Sequence, residues 1–590
     1  MKVNYQYMSP SMCIQKENHT TLGLAADNSR KERVSFQGKL KDPLIFRDAM
    51  LMLREIVISG KEIEKKERKE FFAWLNQEIE RRIQLHEKYA PKVREELTTK
   101  MKEEEGRRRE KEEEVKQLKK VLNKMQKEID ELSVWKDYNK LEREFWKFIK
   151  EKDYDLWFVL DPVITVHRDE VSFEAFSIDE STYGCLSIPI EEFELLKTPS
   201  LGTTNIDFSA KLAKEIERFR TDTDVTLSVN PDGFTVDMGV MPEHIEKKID
   251  LPETWIKGFC QVSSAACLNG VDVELTPADF YDICSFLRRH KAKKSPRYMK
   301  WILEPKKRVR IIFEPYHTEL VLHAVYQGER KREEKIWGRR RWLVAERLIP
   351  LAKSFHVRLL GFGMPQFIIA DLGVMKMTIG FSSWSSNDWV KGTAFNIMAG
   401  FVSEGNYRDV YKLLQKERGL SIKEIQEQLR VSAQEGTTKS GIGMMLKKGE
   451  AYYDVTTDKV RFRQLCSEPI PEELYKVTGM ERKVSKLQNA SLDSFCAVRM
   501  ENGDYCFSQE YMEKDNYGRN KTKNAELVID EDGQIKTVSC TCAEFQKGDR
   551  NISDPCAHIL ALYLMSFKFF GLPFETGKNY KINDIMEMLL

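Results

Sequence analysis

The sequence is nearly without net charge: 95 Lys and Arg against 93 Asp and Glu leave +2 over 590 residues. A global attraction to polyanions is excluded, and charge has to be read locally. The opening, M-K-V-N-Y-Q-Y-M-S-P, has no apolar core, so no secretory leader is expected. The eleven cysteines are an odd number without the spacing of a disulfide framework, which points to a reducing compartment and a cytoplasmic protein. The longest hydrophobic run, Ala557 to Phe574, is about 18 residues, the lower limit for a bilayer span, and carries Lys568, Gly571 and Pro573. It reads as a buried helix, so no membrane is expected. Local spacing assembles no Ser/His/Asp, Cys/His or paired-carboxylate set, and His317 and His323 read as packed side chains across a hairpin. No catalytic residue is expected, and the chain is read as non-enzymatic.

What is present is a compact ligand pattern near the C-terminal end. The nineteen residues from Cys540 to His558 run C-T-C-A-E-F-Q-K-G-D-R-N-I-S-D-P-C-A-H, a Cys-x-Cys pair and a Cys-x-His pair separated by thirteen residues. In an extended segment Cys540 and Cys542 point to one side. Cys556 and His558 cannot share one face of a regular helix, since two residues rotate by about 200°. We therefore place Cys556 on the turn before a helix, positioned by Pro555, and His558 in its first turn. Three thiolates and an imidazole suit tetrahedral Zn²⁺ with no vacant position, a structural rather than catalytic ion. A helix N-terminus beside Cys556 would favour its thiolate.

This pattern after a β-hairpin and before a hydrophobic helix resembles the SWIM zinc finger. The resemblance covers roughly residues 475–590 and implies that Cys540, Cys542, Cys556 and His558 are the ligands of a ββα module that binds DNA or protein. Within it, Asn502-Gly503 and Asp532-Gly533 mark two hairpins. The first, read as a two-residue type I′ loop, sets Cys506 opposite Arg499 rather than Cys496.

The fold class is α+β multidomain, and the length suits about three to five domains. Residues 1–42 lack periodicity and read as a flexible arm. Residues 43–150 read as a helical coiled-coil stalk: Val115, Leu118, Leu122, Met125, Ile129 and Leu132 repeat at the 3,4 spacing of a seam. Its partner would be an earlier helix or a second chain in a dimer. The 32% charged fraction fits a long solvated helix. Residues 151–395 read as an α+β body, because short β-rich strands alternate irregularly with helices. Among them is a hairpin from Thr226–Val229 to Gly233–Val236. The tract Trp337-Gly-Arg-Arg-Arg-Trp342 places Arg339, Arg340 and Arg341 where they could stack on bases and pair with phosphates.

Residues 396–470 read as a winged-helix-like module: a helix ended by Gly419, a capping box at Ser421 and Glu424, a third helix and a wing hairpin. Thr437, Thr438, Lys439 and Ser440 would open the recognition helix, and Arg461 and Arg463 would hold phosphates. The phrases L-D-P-V-I-T-V-H, W-G-R-R-R-W, L-L-G-F-G-M-P and W-S-S-N-D-W are similar to large bacterial SWIM-containing proteins. That similarity implies an association with MoxR-type AAA+ ATPases and von Willebrand A-domain proteins, and brings no catalytic residue. Together these readings describe a zinc-binding accessory protein that recruits partners, with DNA or RNA among them. The alternative is a protein-only scaffold docking an AAA+ ATPase through stalk and body.

Overall fold

The computed structural model describes residues 5–59 and 162–589 apart from short stretches, the longest being 232–245, 383–388, 471–478 and 547–554. The mixed α+β architecture centres on an eight-stranded antiparallel sheet. Its order is Val271–Leu275, Ser354–Leu359, Gln366–Asp371, Lys376–Phe381, Thr182–Pro189, Glu170–Phe176 (β1), Val163–Val166 and Gly202–Asn205. Every position of β1 is buried, so the strand needs cover on both faces.

Helix α1 (Pro43–Ile58) supplies part of that cover. Asp42 caps it, accepting the Ile45 N–H at 3.1 Å, and Pro43 sits in the first turn, where no donor is needed. Phe46, Met50, Leu53 and Ile56 are fully buried. Gly184 on the sheet has no room for a Cβ, which would lie 2.5 Å from Ile56 Cδ1. Residues 43–58 thus belong to the body rather than to a stalk. The seam at 115–132 lies outside the described residues.

The expected flexible arm is a correction as well. Met12–Lys16, His19–Ala25 and Phe36–Leu40 are strands of a five-stranded sheet completed by Asp224–Asn230 and Phe193–Leu195. Asp224–Asn230 pairs in parallel with His19–Ala25 and antiparallel with Phe36–Leu40, so its described partners are not the hairpin mate at 233–236. The partners are far apart in sequence, and a local window carries no trace of such pairing.

Helices α2 (Glu253–Ala266) and α3 (Pro277–Arg289) complete the body with a four-stranded sheet ordered Thr318–Val325, Arg308–Phe313, Met299–Leu303, Arg332–Ile336. The α3 capping-box residue Asp279 reaches the outer strand, accepting the His323 and Ala324 N–H groups as well as the Thr276 hydroxyl. One carboxylate therefore caps a helix and satisfies a sheet edge.

The next segment holds α4 (Tyr407–Glu417), a short strand Gly419–Ser421, α5 (Ile422–Leu429), α6 (Glu435–Lys447), β2 (Ala451–Asp454) and β3 (Lys459–Phe462). The short strand, β3 and β2 form a three-stranded antiparallel sheet. The capping box is present: Ser421 N–H donates to Glu424 at 2.7 Å, and Glu424 N–H to Ser421 Oγ at 3.1 Å. Arg418, in the left-handed conformation, ends α4, so Gly419 is free to open the strand. Two α6 glycines are packing devices: a Cβ on Gly443 would lie 2.2 Å from Phe401 Cβ, and one on Gly441 2.9 Å from the Asn406 backbone.

The C-terminal sheet is ordered β6 (Ile535–Cys540), β5 (Asn520–Ile529), β4 (Tyr505–Lys514), Cys496–Arg499 and Asn579–Lys581, with α7 (Gly479–Gln488) and α8 (Ala557–Phe569) packed on each other. Its first turn differs from the expected two-residue loop. Met500 N–H pairs with Asp504 O, and Gly503 has φ +88°, leaving 501–503 as a three-residue loop with glycine in the left-handed position. The register moves by one: Cys506 faces Val498, and Cys496 faces Ser508. Helix α8 is buried around most of its girth, and one continuous apolar core joins this domain to the body. Among the described residues no helix is long and apolar enough to cross a membrane.

Candidate metal centre

Strand β6 ends on Cys540, and the chain turns at once. Phe545 and Gln546 N–H groups bond to the Cys542 carbonyl, closing a single helical turn at Ala543–Gln546. Cys542 therefore sits at a helix start, where the sequence reading had an extended strand. The turn brings the second sulfur back to the first. Cys556 is the N-terminal cap of α8 with extended backbone, and His558 lies in the first turn, the arrangement reached from their spacing.

The donor atoms of Cys540, Cys542, Cys556 and His558 all lie within 4.8 Å of one another. Their exposures are 2%, 3%, 0% and 5%, too small for solvent to satisfy them. Backbone donors face the sulfurs: Phe545 N–H to Cys542 Sγ at 3.3 Å, and Cys542 N–H to Cys540 Sγ at 3.5 Å. Such donors favour thiolates.

The protein alone does not satisfy this cluster. Neither ring nitrogen of His558 makes a hydrogen bond, although Nε2 is 3.3 Å from a Glu513 carboxylate oxygen. The neighbouring Cys540 and burial push the Cys556 thiol up to about 12. Three thiolates cannot be held this close in an apolar site without a cation. Four protein donors of this kind fit Zn²⁺ and fill its tetrahedral shell, so the ion would supply cross-linking of strand, turn and helix.

Two residues outside the ligand pattern face the same point and were missed in the sequence. Tyr511 sets its ring centroid 5.1 Å from that of His558, and Glu513 follows two positions on. The period-two alternation of β4 was the available signal, but only the Tyr505–Phe507 end was read as strand.

The residues expected to touch nucleic acid are placed differently. Arg461 is 2% exposed, bonding Asp169 at 2.9 Å and Asp454 at 2.9 Å, with Glu170 at 3.3 Å. Arg463 is 1% exposed, bonding both Glu174 oxygens at 2.6 Å and covering the Phe259 ring. Neither can reach a phosphate, because both dock β2 and β3 on β1. Thr438 and Ser440 are buried, and the Thr437 carbonyl accepts the Asn406 N–H at 3.0 Å, so the start of α6 is packed against the turn before α4. Lys439 alone of this set is exposed. Arg339 is buried with its guanidinium on the Tyr298 carbonyl at 3.0 Å. Arg341 is half-buried, 3.3 Å from Ser382 Oγ, and the exposed Arg340 donates to the Leu287 carbonyl at 2.6 Å. For Arg461, Arg463, Arg339 and Arg340 the cause is shared: a carboxylate or carbonyl attracts arginine as a phosphate does, and sequence does not distinguish them.

Residues 527–567 match the SWIM zinc finger family. No curated protein matches the chain. Among solved structures, proliferating cellular nuclear antigen from Entamoeba histolytica aligns over 40% of this chain and 94% of its own, at 13% identity and TM-score 0.27. The Thermococcus kodakaraensis counterpart aligns over 41% and 96%, at 12% identity and TM-score 0.25. The Bacillus subtilis DNA polymerase sliding clamp aligns over 40% and 58%, at 11% identity and TM-score 0.27. The matched span contains all four buried metal ligands and most of the hairpin and helix that carry them, and this part of the chain is therefore a SWIM zinc finger.

Proposed function

We propose that this chain is a non-enzymatic accessory protein whose zinc site builds a recruiting surface at the C-terminal end of a large α+β body. The observation that carries the reading is the donor set: four buried protein ligands fill the metal's shell and leave no place to activate water. We read residues 396–470 as a winged helix, on the order of α4, strand, α5, α6, β2 and β3. Its wing is committed to the body through Arg461 and Arg463, which favours protein docking over base reading for that module. Nucleic acid would be met elsewhere, with Lys439 and the exposed Lys521 of the β4–β5 hairpin as available cations. An AAA+ ATPase of the MoxR type is the protein partner we propose, in a cytoplasmic setting.

The deciding experiment is affinity purification of the full chain with and without nuclease, alongside DNA and RNA binding at low salt, where phosphate contacts are strongest. A partner ATPase retained after nuclease supports the scaffold. Loss of every partner after nuclease, with tight binding at low salt, would make nucleic acid the primary ligand.

A further inference from the structure

The zinc ligands come from β6, the turn after it and the start of α8, yet the His558 ring is also addressed from β4, which lies wholly outside the matched span. Antiparallel pairing of Tyr511 with Lys523 and Glu513 with Lys521 fixes the register of β4 here. Tyr511 and Glu513, two apart, share the face turned toward α8. Tyr511 is 2% exposed and packs its ring against His558, while the Glu513 carboxylate stands 3.3 Å from His558 Nε2. The ring itself is 5% exposed, so water does not compete for that nitrogen.

We propose that Glu513 is the positioning residue of the metal site: it accepts the Nε2–H of His558, and His558 holds the metal through Nδ1. Both ring nitrogens lack a hydrogen bond within the protein, and a zinc-bound imidazole needs two partners, a metal on one nitrogen and an acceptor on the other. Glu513 stands at Nε2 and lies outside the set of mutually close donors formed by the three cysteines and His558, so it is placed as an acceptor and not as a fifth ligand. That leaves Nδ1 for the ion. The carboxylate fixes the tautomer and turns the ring, and its charge strengthens the imidazole as a donor. Tyr511, its ring tilted 51° to the imidazole, limits rotation by packing against it. The inference rests on the zinc reading above and deepens it.

The test uses the full chain, loaded with zinc, as wild type and as Glu513→Gln and Glu513→Ala. Zinc retention is read by competition with a chelator of known affinity, folding by circular dichroism, and the coordinating nitrogen from a crystal structure of the zinc-loaded chain. Glu513→Ala should weaken zinc binding by about 10- to 100-fold with its secondary structure kept, and Glu513→Gln, which can still accept through its amide oxygen, by less. The crystal structure should show Nδ1 on the metal. Unchanged zinc affinity in Glu513→Ala, or Nε2 on the metal, would overturn the assignment of Glu513. A wild-type chain that is folded and binds no zinc would instead overturn the metal reading itself.

Discussion

Glu170 occupies the most contested position among the buried side chains. It faces Arg461, Asp169, Asp454 and the Tyr452 hydroxyl, which also meets His167, at the junction of β1 with β2 and β3. Burial, followed by the charge of Asp454, pushes its carboxyl up to about 7 despite Arg461. A carboxyl raised in the folded state contributes stability that is full below its ordinary value and is lost as pH climbs through the folded value. We therefore expect Glu170→Gln, which mimics the neutral form, to gain on the wild type between pH 5 and pH 8, reaching about 1–3 kcal/mol by urea denaturation, with no widening above. Burial holds His167 down to about 3, which works in the opposite sense below its ordinary value and is common to both proteins. Asp279 behaves as the reverse case. It is buried, but hydrogen bonds from His323 and Thr276 hold it below the ordinary carboxylate range. Asp279→Asn should cost about 1–3 kcal/mol at pH 7, and the gap should narrow as pH falls toward and below the carboxylate range. At this scale the metal ligands were legible, because Cys-x-Cys and Cys-x-His spacing is itself the chemistry. Arg461 and Arg463 were not, because their partners Asp169 and Glu174 lie far away in sequence.

Single elements show how a local rule yields to a neighbour. Helix α6 tolerates two glycines that weaken it intrinsically, since its partners come too close for a methyl group. Gly443→Ala should therefore destabilise the chain by about 1–3 kcal/mol even though alanine is the better helix former by about 1 kcal/mol, as thermal unfolding would reveal. The docking of β3 on β1 is sharper. Arg463→Met strands the Glu174 carboxylate, buried to 1%, and should cost about 3–5 kcal/mol in denaturant titrations. The double change Arg463→Met with Glu174→Leu should recover part of that, because no charge is stranded although the Tyr183 hydroxyl and the Ala451 carbonyl lose their partners. One helix cap was read in the sequence, the Ser421 box, whereas the caps of α1 at Asp42 and of α3 at Thr276 emerge from the structure. Turn geometry was less so, since Asn502-Gly503 serves a two- or a three-residue loop, and only the pairing of Met500 with Asp504 decides.

On the scale of the molecule, the metal-binding domain is not an appendage. Arg332 of the body pairs with Asp530 and Asp532 in the β5–β6 turn, Asn269 donates to the Asp532 carbonyl at 3.3 Å, and apolar packing runs unbroken between them. Removing zinc with a chelator should thus lower the melting temperature of the body as well. We expect the calorimetric transition of residues outside the finger to move with it rather than persist unchanged beside a lost one. The Cys542→Ser change should reproduce the effect. Sequence by itself determined the chemistry that is local: four ligands within nineteen residues, the Ser421 capping box, the α+β texture and the two hairpins of the C-terminal sheet. Tertiary structure alone decided that Met12–Lys16, His19–Ala25 and Phe36–Leu40 are strands, that 43–58 cover a sheet, and that Arg461 and Arg463 face carboxylates. The physical reason is the range of the interactions. Metal ligation and capping act over a few residues of chain, whereas strand pairing and buried charge neutralisation join segments whose nearness only the completed fold creates.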